Sequence, residues 1–258
     1  MSTDLPVRPD RDVVAVGGAD VGTFLHGQLS QDITGMADGE QRWSFLLQPN
    51  GKVHSWLRVT RLAHDHYELD VDAGHGEAVL ARLSRFKLRV DVDLALGAPR
   101  RMGAATELQR IRRGVPAMGA ELTDSVIPAE IGGWVIDASA SFTKGCYVGQ
   151  ELVARVDSRG SNTPRNLGRL RVDGSAAVGD DVVVDGGTVG TITSVARVPD
   201  DEGGGTVALA YIGRKVAPGP DAPVEATVGG TAALIETIDA IEVVEVIGKR
   251  PADAESQD

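Results

Sequence analysis

The stretch that decides the fold is Thr143-Lys144-Gly145-Cys146-Tyr147-Val148-Gly149-Gln150-Glu151. It contains the only cysteine of the chain. A thiol reacts as its thiolate, which is stabilised by a nearby ammonium group and by the positive end of a helix. Lys144 stands shortly before Cys146, and the residues from Gln150 onward have the pattern of the first turns of a helix. The stretch therefore predicts a reactive cysteine in a loop that leads into a helix.

Two glycines, Gly145 and Gly149, flank this cysteine and indicate a backbone shape that a β-carbon would obstruct, or one that another group approaches closely. A lone cysteine is also often a small buried side chain without chemistry of its own. Thiol titration distinguishes the two interpretations. An alkylation pKa at or above the free value of about 8.5 would favour the inert side chain.

The composition argues against several classes of function. The chain has 258 residues, a net charge of −11 and an isoelectric point near 4.9. Because phosphate backbones attract basic surfaces, this charge argues against direct nucleic-acid binding. A local basic cluster is nevertheless present at Arg82, Arg85, Lys87 and Arg89. One cysteine allows no internal disulfide, and no Cys/His pattern suggests a metal site.

The N-terminal residues Met1–Asp10 contain no apolar run, so we expect no signal peptide. No stretch approaches the roughly 20 apolar residues that a membrane span needs. We therefore expect a cytoplasmic protein without a membrane partner.

The first part of the chain has the mixed order of elements that is typical of an α+β domain rather than of βαβ repetition. Asp20 is a plausible N-cap for its first helix. The predicted elements are a strand at Arg11–Gly17, a helix from Val21 to Leu29, an antiparallel meander over 43–71 with a hairpin turn at Pro49–Lys52, a helix at Gly76–Phe86, a half-buried strand at Arg89–Leu96, a short helix at Thr106–Arg113 and an irregular segment at Leu122–Ile136.

After residue 163 the pattern changes to short apolar strands separated by Gly/Asp/Pro turns, which favours a small closed barrel. The predicted strands are Leu167–Val172, Asp181–Val184, Thr188–Ala196, Thr206–Ile212, Val224–Val228 and Ala232–Ile238. We therefore predict an α+β domain at 8–163, a C-terminal β-barrel domain at 164–248 and a disordered acidic tail at 249–258.

The motif Lys-Gly-Cys-Tyr-x-Gly-Gln-Glu at Lys144–Glu151 resembles the signature of the YgfZ family of folate-binding proteins, which are relatives of the aminomethyltransferase (T-protein) of the glycine cleavage system. Phe24–Asp32 resembles the N-terminal motif of that family, and Val189–Ser194 resembles part of the T-protein barrel. The resemblance implies a T-protein-like folate-binding α+β domain of two subdomains, followed by a small C-terminal antiparallel β-barrel and enclosing a central channel.

Two departures from the T-protein separate this chain from aminomethyl transfer. Where the T-protein has paired aspartates after its hairpin, the chain has Gly51–Trp56 without a carboxylate. The pterin-holding Glu of its Arg-x-Glu-x-Gly motif is replaced by Arg112, and an arginine cannot accept the hydrogen bonds of the pterin amide and amino groups. These losses, together with the gained Cys146, argue against an enzyme of that kind.

The resemblance implies a folate-binding accessory protein for the assembly or maintenance of iron–sulfur clusters in client enzymes, including tRNA-modifying ones. It implies tetrahydrofolate as the cofactor and iron–sulfur client or assembly proteins as partners. Cys146 would be the nucleophile or transient ligand, and Lys144 would stabilise its thiolate. The residues implied to bind the cofactor are Gly145, Tyr147, Gly149, Gln150, Glu151, Arg155, Gln28 and Asp32.

Other interpretations of the same residues stay open. A folate-dependent one-carbon transferase would use a different acid, and a plain binding module would leave the cysteine inert. Glu151 could simply favour the N-terminal end of its helix, and Arg155 could form a surface salt bridge. Since a stable iron–sulfur cluster needs about four ligands, one thiol could contact it only transiently or together with a partner.

Overall fold

The computed structural model describes residues 7–101, 106–158, 160, 162–216, 218 and 222–238. The acidic tail predicted at 249–258 lies outside the described residues. No helix in the described part of the chain is long and apolar enough to cross a membrane.

The first part of the chain forms one antiparallel sheet with two helices, in the predicted α+β arrangement. Its elements are β1 (Asp10–Gly17), α1 (Val21–Gln28), β2 (Gln41–Leu47), β3 (Val53–Ala63), β4 (His66–Asp72), α2 (Gly76–Phe86), β5 (Asp93–Leu96) and β6 (Arg100–Arg101). The strands lie in the order β2-β3-β4-β1-β5, and β6 pairs with β1. Each neighbouring pair is antiparallel.

The helix α1 packs against the sheet through the same residues whose spacing predicts the helix. Val21, Phe24, Leu25 and Gln28 are its buried residues, and their separations of three and four positions put them on one face. This face joins a core that includes Phe45, which is fully buried. The end of α1 is thereby fixed against the strands.

The prediction of a continuous strand at Arg89–Leu96 is wrong for its first half. Only Asp93–Leu96 pairs in the sheet, and Arg89 has a φ of 56°, outside the extended region. The carboxylate of Asp20 accepts a hydrogen bond from the backbone N–H of Asp91 at 2.7 Å, and the Asp91 carbonyl accepts one from the Asp20 N–H at 3.1 Å. Asp20 therefore ties down this loop, and its side chain does not cap α1 as predicted.

In the described residues between this sheet and the barrel lie α3 (Glu107–Arg112), α4 (Pro128–Ile131), α5 (Gly133–Ser139) and α6 (Gln150–Ser158). The prediction of an irregular segment at Leu122–Ile136 is corrected, since α4 and most of α5 lie within it. Pro128 begins α4, where its missing N–H costs nothing. Trp134, Val135 and Ile136 of α5 are buried. The short length of both helices explains why apolar periodicity does not reveal them.

The predicted closed antiparallel barrel is confirmed. Its strands are β7 (Arg165–Val172), β8 (Asp181–Val184), β9 (Gly187–Arg197), β10 (Thr206–Gly213), β11 (Val224–Val228) and β12 (Thr231–Glu236). They close in the order β10-β7-β12-β11-β8-β9. Inward-facing side chains such as Leu170, Val182 and Ile235 fill the barrel. Asp185 and Gly186, both with positive φ, form the tight turn between β8 and β9.

A buried polar network joins the barrel to the first part of the chain. Arg110 and Glu121 are 1% and 0% exposed and lie 3.1 Å apart from Nη1 to Oε2. Arg110 also donates to Ser194 of β9 at 2.7 Å, and Ser194 donates to Glu121 at 2.6 Å. The hydroxyl of Tyr211 in β10 donates to the Glu121 carbonyl at 2.9 Å. The barrel is thus docked through paired charges, and the boundary at residue 163 stays a prediction.

Candidate functional site

The loop that carries Cys146 is attached along its length to the end of α1. Before the cysteine, the Ser141 N–H donates to the carbonyl of Ser30 at 3.0 Å. After it, the Val148 N–H donates to the carbonyl of Gly27 at 3.2 Å. These bonds satisfy carbonyl groups at and just beyond the C-terminal end of a helix, which lack partners inside the helix. The loop is therefore held by backbone contacts on both sides of the thiol.

Cys146 is exposed, as is Gly145 before it, whereas Tyr147 after it is buried. The buried tyrosine anchors the loop in the core, and burial raises the pKa of its hydroxyl to about 12. The thiol is thus offered to solvent on a loop whose neighbours are fixed. This placement does not match the buried inert cysteine that was the alternative.

The Lys144 side chain binds backbone carbonyls at the end of α1 and just beyond it. Its ammonium group donates to the carbonyls of His26 at 2.6 Å, Leu29 at 2.7 Å and Gln31 at 3.1 Å. The end of a helix carries partial negative charge, so a cation is favourable there. The ammonium also lies 5.1 Å from the centre of the Tyr147 ring. Burial lowers the pKa of Lys144 to about 8. The three carbonyls use all three N–H donors, so the predicted influence on the thiolate stays a proposal.

His26 and Asp32 form a pair beside the loop. The His26 Nδ1 and Asp32 Oδ1 atoms lie 3.6 Å apart. Burial, and then the charge of Lys144, lower the pKa of His26. Burial disfavours the charged form of Asp32, but hydrogen bonds from the Thr34 hydroxyl (2.6 Å) and N–H (2.8 Å) outweigh it, and the pKa of Asp32 is lowered. A β-carbon on Gly145 would lie 4.0 Å from His26 Nε2.

The sequence argument missed His26 as a site residue. It stands inside the motif Phe24–Asp32, two residues before Gln28, which the sequence argument singled out together with Asp32. Its position in that motif is the signal that could have identified it. The structure brings the predicted residues Asp32 and Lys144 together around it.

Gly149 fits a gap that leaves no room for a side chain. Its φ is 85°, and a β-carbon would lie 2.6 Å from the Gln48 carbonyl oxygen and 2.8 Å from Leu47 Cβ. Gly51, at the tip of the β2–β3 hairpin, is equally constrained. A β-carbon placed on Gly51 would lie 2.4 Å from Leu152 Cβ. The hairpin tip and the start of α6 therefore pack backbone against backbone, which explains both glycines.

The polar residues of α6 divide between the loop and solvent. The Gln150 side chain accepts a hydrogen bond from the Tyr147 N–H at 3.1 Å and closes the turn before the helix. Glu151 and Arg155 form an ion pair one helical turn apart, and both are exposed. Gln150 thus stabilises the loop, while the Glu151–Arg155 pair faces solvent. Arg155 therefore forms the surface salt bridge that was one of its two interpretations from sequence.

Gln28, at the last position of α1, is buried and accepts a hydrogen bond from Arg82 Nη1 at 3.1 Å. The preceding residue, Gly27, is the one that contacts Val148 of the cysteine loop. Gln28 is therefore next to the loop along the chain, and its side-chain oxygen is directed toward α2. A ligand that hydrogen-bonds to this oxygen would share it with Arg82.

The segment Arg110–Gly114, compared above with the pterin-holding motif of the T-protein, is occupied by contacts with the barrel. Arg110 is buried in the network with Glu121 and Ser194. Arg112 pairs with Glu202 at 2.6 Å, and its carbonyl accepts a hydrogen bond from Arg169 of β7. This segment supplies no free carboxylate at the position where the T-protein has its Glu.

The side chain of Trp134 carries a buried hydrogen-bond donor that has no partner among the described residues. Trp134 in α5 is 4% exposed, and its Nε1 atom is without an acceptor among the described residues. Its ring packs edge-on against Trp56, whose Nε1 donates to the Ser139 hydroxyl at 2.8 Å at the end of α5. Within the described ranges, no group of three or more His, Cys, Asp or Glu side chains could hold a metal ion.

The sheet, the barrel and their order along the chain define a protein with the fold of the aminomethyltransferase T-protein. The crystal structure of the glycine cleavage system aminomethyltransferase T from Bartonella henselae superimposes with a TM-score of 0.75 over 90% of this chain and 84% of that one. The identity over this match is 15%, so the likeness establishes the fold alone. No protein-family model matches the chain.

Three relatives are similar in sequence. An uncharacterised protein of Haemophilus influenzae is 26% identical over 58% of this chain and 67% of its own length. A putative chloroplastic transferase of Arabidopsis thaliana is 33% identical over 63% of the chain. A mitochondrial iron–sulfur cluster assembly factor, the IBA57 homolog of Eremothecium gossypii, is 46% identical over 52 residues. The chain spans 35% of the Arabidopsis protein and 11% of the Eremothecium protein.

Proposed function

We propose that this protein is a folate-binding accessory factor for the assembly or maintenance of iron–sulfur clusters in client enzymes, with Cys146 as its key thiol. The observation that carries the proposal is the position of Cys146, which is exposed on a loop held to α1 on both sides. Such a thiol can reach a partner protein without unfolding. The T-protein fold and the short stretch similar to an iron–sulfur cluster assembly factor support the same function.

The thiolate would act as a transient ligand to an iron of the cluster, which is cargo rather than a resident cofactor, and would leave that iron when a ligand of the client takes its place. One cysteine cannot hold a cluster alone, since about four ligands are needed. The remaining ligands would come from the client or assembly protein. Clients proposed from the family resemblance include tRNA-modifying enzymes, and the chain's net charge of −11 favours contact with the enzyme rather than with its RNA.

Tetrahydrofolate is proposed as a bound ligand, and the residues fit it in part. The unpartnered Nε1 of Trp134 is a buried donor that a ligand acceptor could satisfy. The other residues proposed to bind the cofactor are those that the family resemblance implies: Gly145, Tyr147, Gly149, Gln150, Glu151, Arg155, Gln28 and Asp32. Arg112 stands where a carboxylate would hold the pterin, and it is paired with Glu202 instead. Folate would therefore have to be held without that contact.

Isothermal titration calorimetry with tetrahydrofolate tests this part of the proposal. We expect saturable binding to the wild-type protein. We also expect weaker binding to Trp134→Phe, which removes the unpartnered donor and keeps an aromatic ring. A Trp43→Phe variant, in the same aromatic cluster, is the matched control and should bind as the wild type does. An absence of heat at millimolar ligand would remove folate from the proposed function.

A folate-dependent one-carbon transferase is the second candidate, and the name of the Arabidopsis relative favours it. The chemistry of the hairpin is against it, because Lys52, His54 and Ser55 stand where the T-protein has its acidic pair. Turnover of 5,10-methylenetetrahydrofolate, or of an aminomethyl donor, by the pure protein distinguishes the two. We expect no turnover, and a measurable rate would favour the transferase.

A further inference from the structure

Arg82 is a buried cation with no carboxylate beside it among the described residues. Its side chain lies on the inner side of α2 and is 6% exposed. Its guanidinium donates to the side-chain oxygen of Gln28 at 3.1 Å and to the carbonyl of Leu47 at 3.0 Å, and it lies 3.8 Å from the centre of the Phe86 ring. All three contacts are neutral groups. In the described part of the chain, Arg82 has no carboxylate within ion-pairing distance.

The other groups around Arg82 add positive charge. Burial, and then the charge of Arg85, lower the pKa of Arg82. Burial, and then the charges of Arg82, Arg85 and His75, lower the pKa of the half-buried His54 on β3. Arg85 is exposed on α2 and likewise has no carboxylate partner within the ranges described. Burying an unpaired charge is costly, and further cations nearby increase that cost.

This cluster lies next to the cysteine loop. Leu47, whose carbonyl accepts from Arg82, would be 2.8 Å from a β-carbon placed on Gly149. Gln28, the other acceptor, follows Gly27, which binds the Val148 N–H. Leu47 therefore contacts the cysteine loop directly, and Gln28 is adjacent in the chain to a residue that binds it.

We propose that Arg82, Arg85 and His54 form a binding site for an oxyanion, a carboxylate or phosphate group carried by a small-molecule ligand. Arg82 would supply the desolvated charge, for which a charge-assisted hydrogen bond is strongest. Arg85 would supply a second charge from the solvent side, and the His54 ring a further donor. The site does not depend on folate, because it requires only the anionic group, and its failure would leave the proposed function of Cys146 intact.

Calorimetric titration of the full chain with inorganic phosphate and, separately, with tri-γ-glutamate tests the site. We expect at least one of them to bind, with the affinity lowered about fivefold in Arg85→Gln, the upper end for one exposed charge pair. A larger loss, tenfold or more, is expected for Arg82→Gln, since a buried charge-assisted contact is stronger. Arg85 is exposed, so its variant keeps the test valid even if Arg82→Gln does not fold.

Lys87→Gln is the matched control, because it removes one positive charge from the same end of α2. Lys87 is exposed and lies 3.7 Å from Asp93, on the side of β5. We expect its affinity to equal that of the wild type. An equal loss in Lys87→Gln and Arg85→Gln would show a general charge effect and overturn the proposal.

The His54 ring provides a second readout, by NMR titration with and without the anion. A bound anion offsets the charges of Arg82, Arg85 and His75, so the pKa of His54 should rise on binding. Tighter binding of tri-γ-glutamate would assign the site to a polycarboxylate ligand, and tighter binding of phosphate to a phosphorylated one. No binding of either anion at millimolar concentration, or an unchanged His54 titration, would contradict the proposal.

Discussion

The Lys144 ammonium and the His26 carbonyl oxygen lie 2.6 Å apart, and this contact ties the cysteine loop to the last turn of α1. Two further carbonyls, of Leu29 and Gln31, surround the same ammonium. Lys144, for which the sequence predicted a role in stabilising the thiolate, therefore also has a structural role. It places a positive charge at the negative end of a helix and holds the loop that carries Cys146 against that end.

The pH dependence of stability tests the environment of Lys144. Its pKa falls from 10.5 to about 8 in the folded protein because of burial. Between about pH 8 and pH 10.5 the unfolded chain binds more protons than the folded one, so this lysine makes stability rise with pH in that window. We expect the free energy of unfolding of the wild type, relative to Lys144→Gln, to increase across it.

Urea unfolding of both proteins at a series of pH values measures this difference. Other titrating groups, including Tyr147 with its pKa raised to about 12 by burial, are present in both proteins and largely cancel. A difference that stays constant, or that falls with rising pH, would show that burial does not perturb this lysine.

Substitution by alanine should destabilise the protein strongly at Gly149 and hardly at all at Gly145. Gly149→Ala places a β-carbon 2.6 Å from the Gln48 carbonyl at a φ of 85°, so we expect a loss of about 3 kcal/mol of stability. Gly145→Ala meets nothing closer than His26 Nε2 at 4.0 Å and should change stability by less than about 0.5 kcal/mol. Thermal or urea unfolding checks both. Similar losses in the two variants would mean that the loop is not packed as described.

The buried pair Arg110–Glu121 should matter far more than the exposed pair Glu151–Arg155. Glu121→Gln leaves Arg110 with the partly exposed Glu107 as its counter-charge in place of a fully buried one, and we expect a loss of about 3 kcal/mol, the lower end for breaking a buried pair. Glu151→Gln breaks an ion pair on the surface of α6 and should cost less than about 0.5 kcal/mol. The free energies of unfolding of the two variants provide the comparison. Equal and small losses would contradict the role assigned to the network.

The parts of the fold that the sequence could predict are those with repeating patterns. Apolar spacing and turn residues predict α2 and the barrel strands β8 and β11 with their observed bounds. The bend at Arg89 was not predictable, because it depends on contacts between Asp20 and Asp91, which are distant in the chain. The short helices α4 and α5 were missed because each has too few residues for a periodic pattern.

The sequence predicted the cysteine loop of the candidate site but not the residues that surround this loop. Cys146 could be singled out because it is the only cysteine and stands in a specific motif. The contacts of Lys144 and the pairing of His26 with Asp32 depend on how α1 meets the loop, which local sequence does not reveal. Arg82 was visible only as part of a basic cluster. Its burial without a carboxylate is a property of the folded chain.

The most direct test of the proposed function is the activity of an iron–sulfur enzyme in cells that lack this protein and carry plasmid-borne variants of it. Cys146→Ser removes the thiol from an exposed position, so the fold should be unaffected. Thr143→Ala, a substitution at another exposed position of the same loop, is the control. With equal protein levels, we expect the wild type and Thr143→Ala to restore the activity and Cys146→Ser to fail. Full restoration by Cys146→Ser would contradict a role for the thiol.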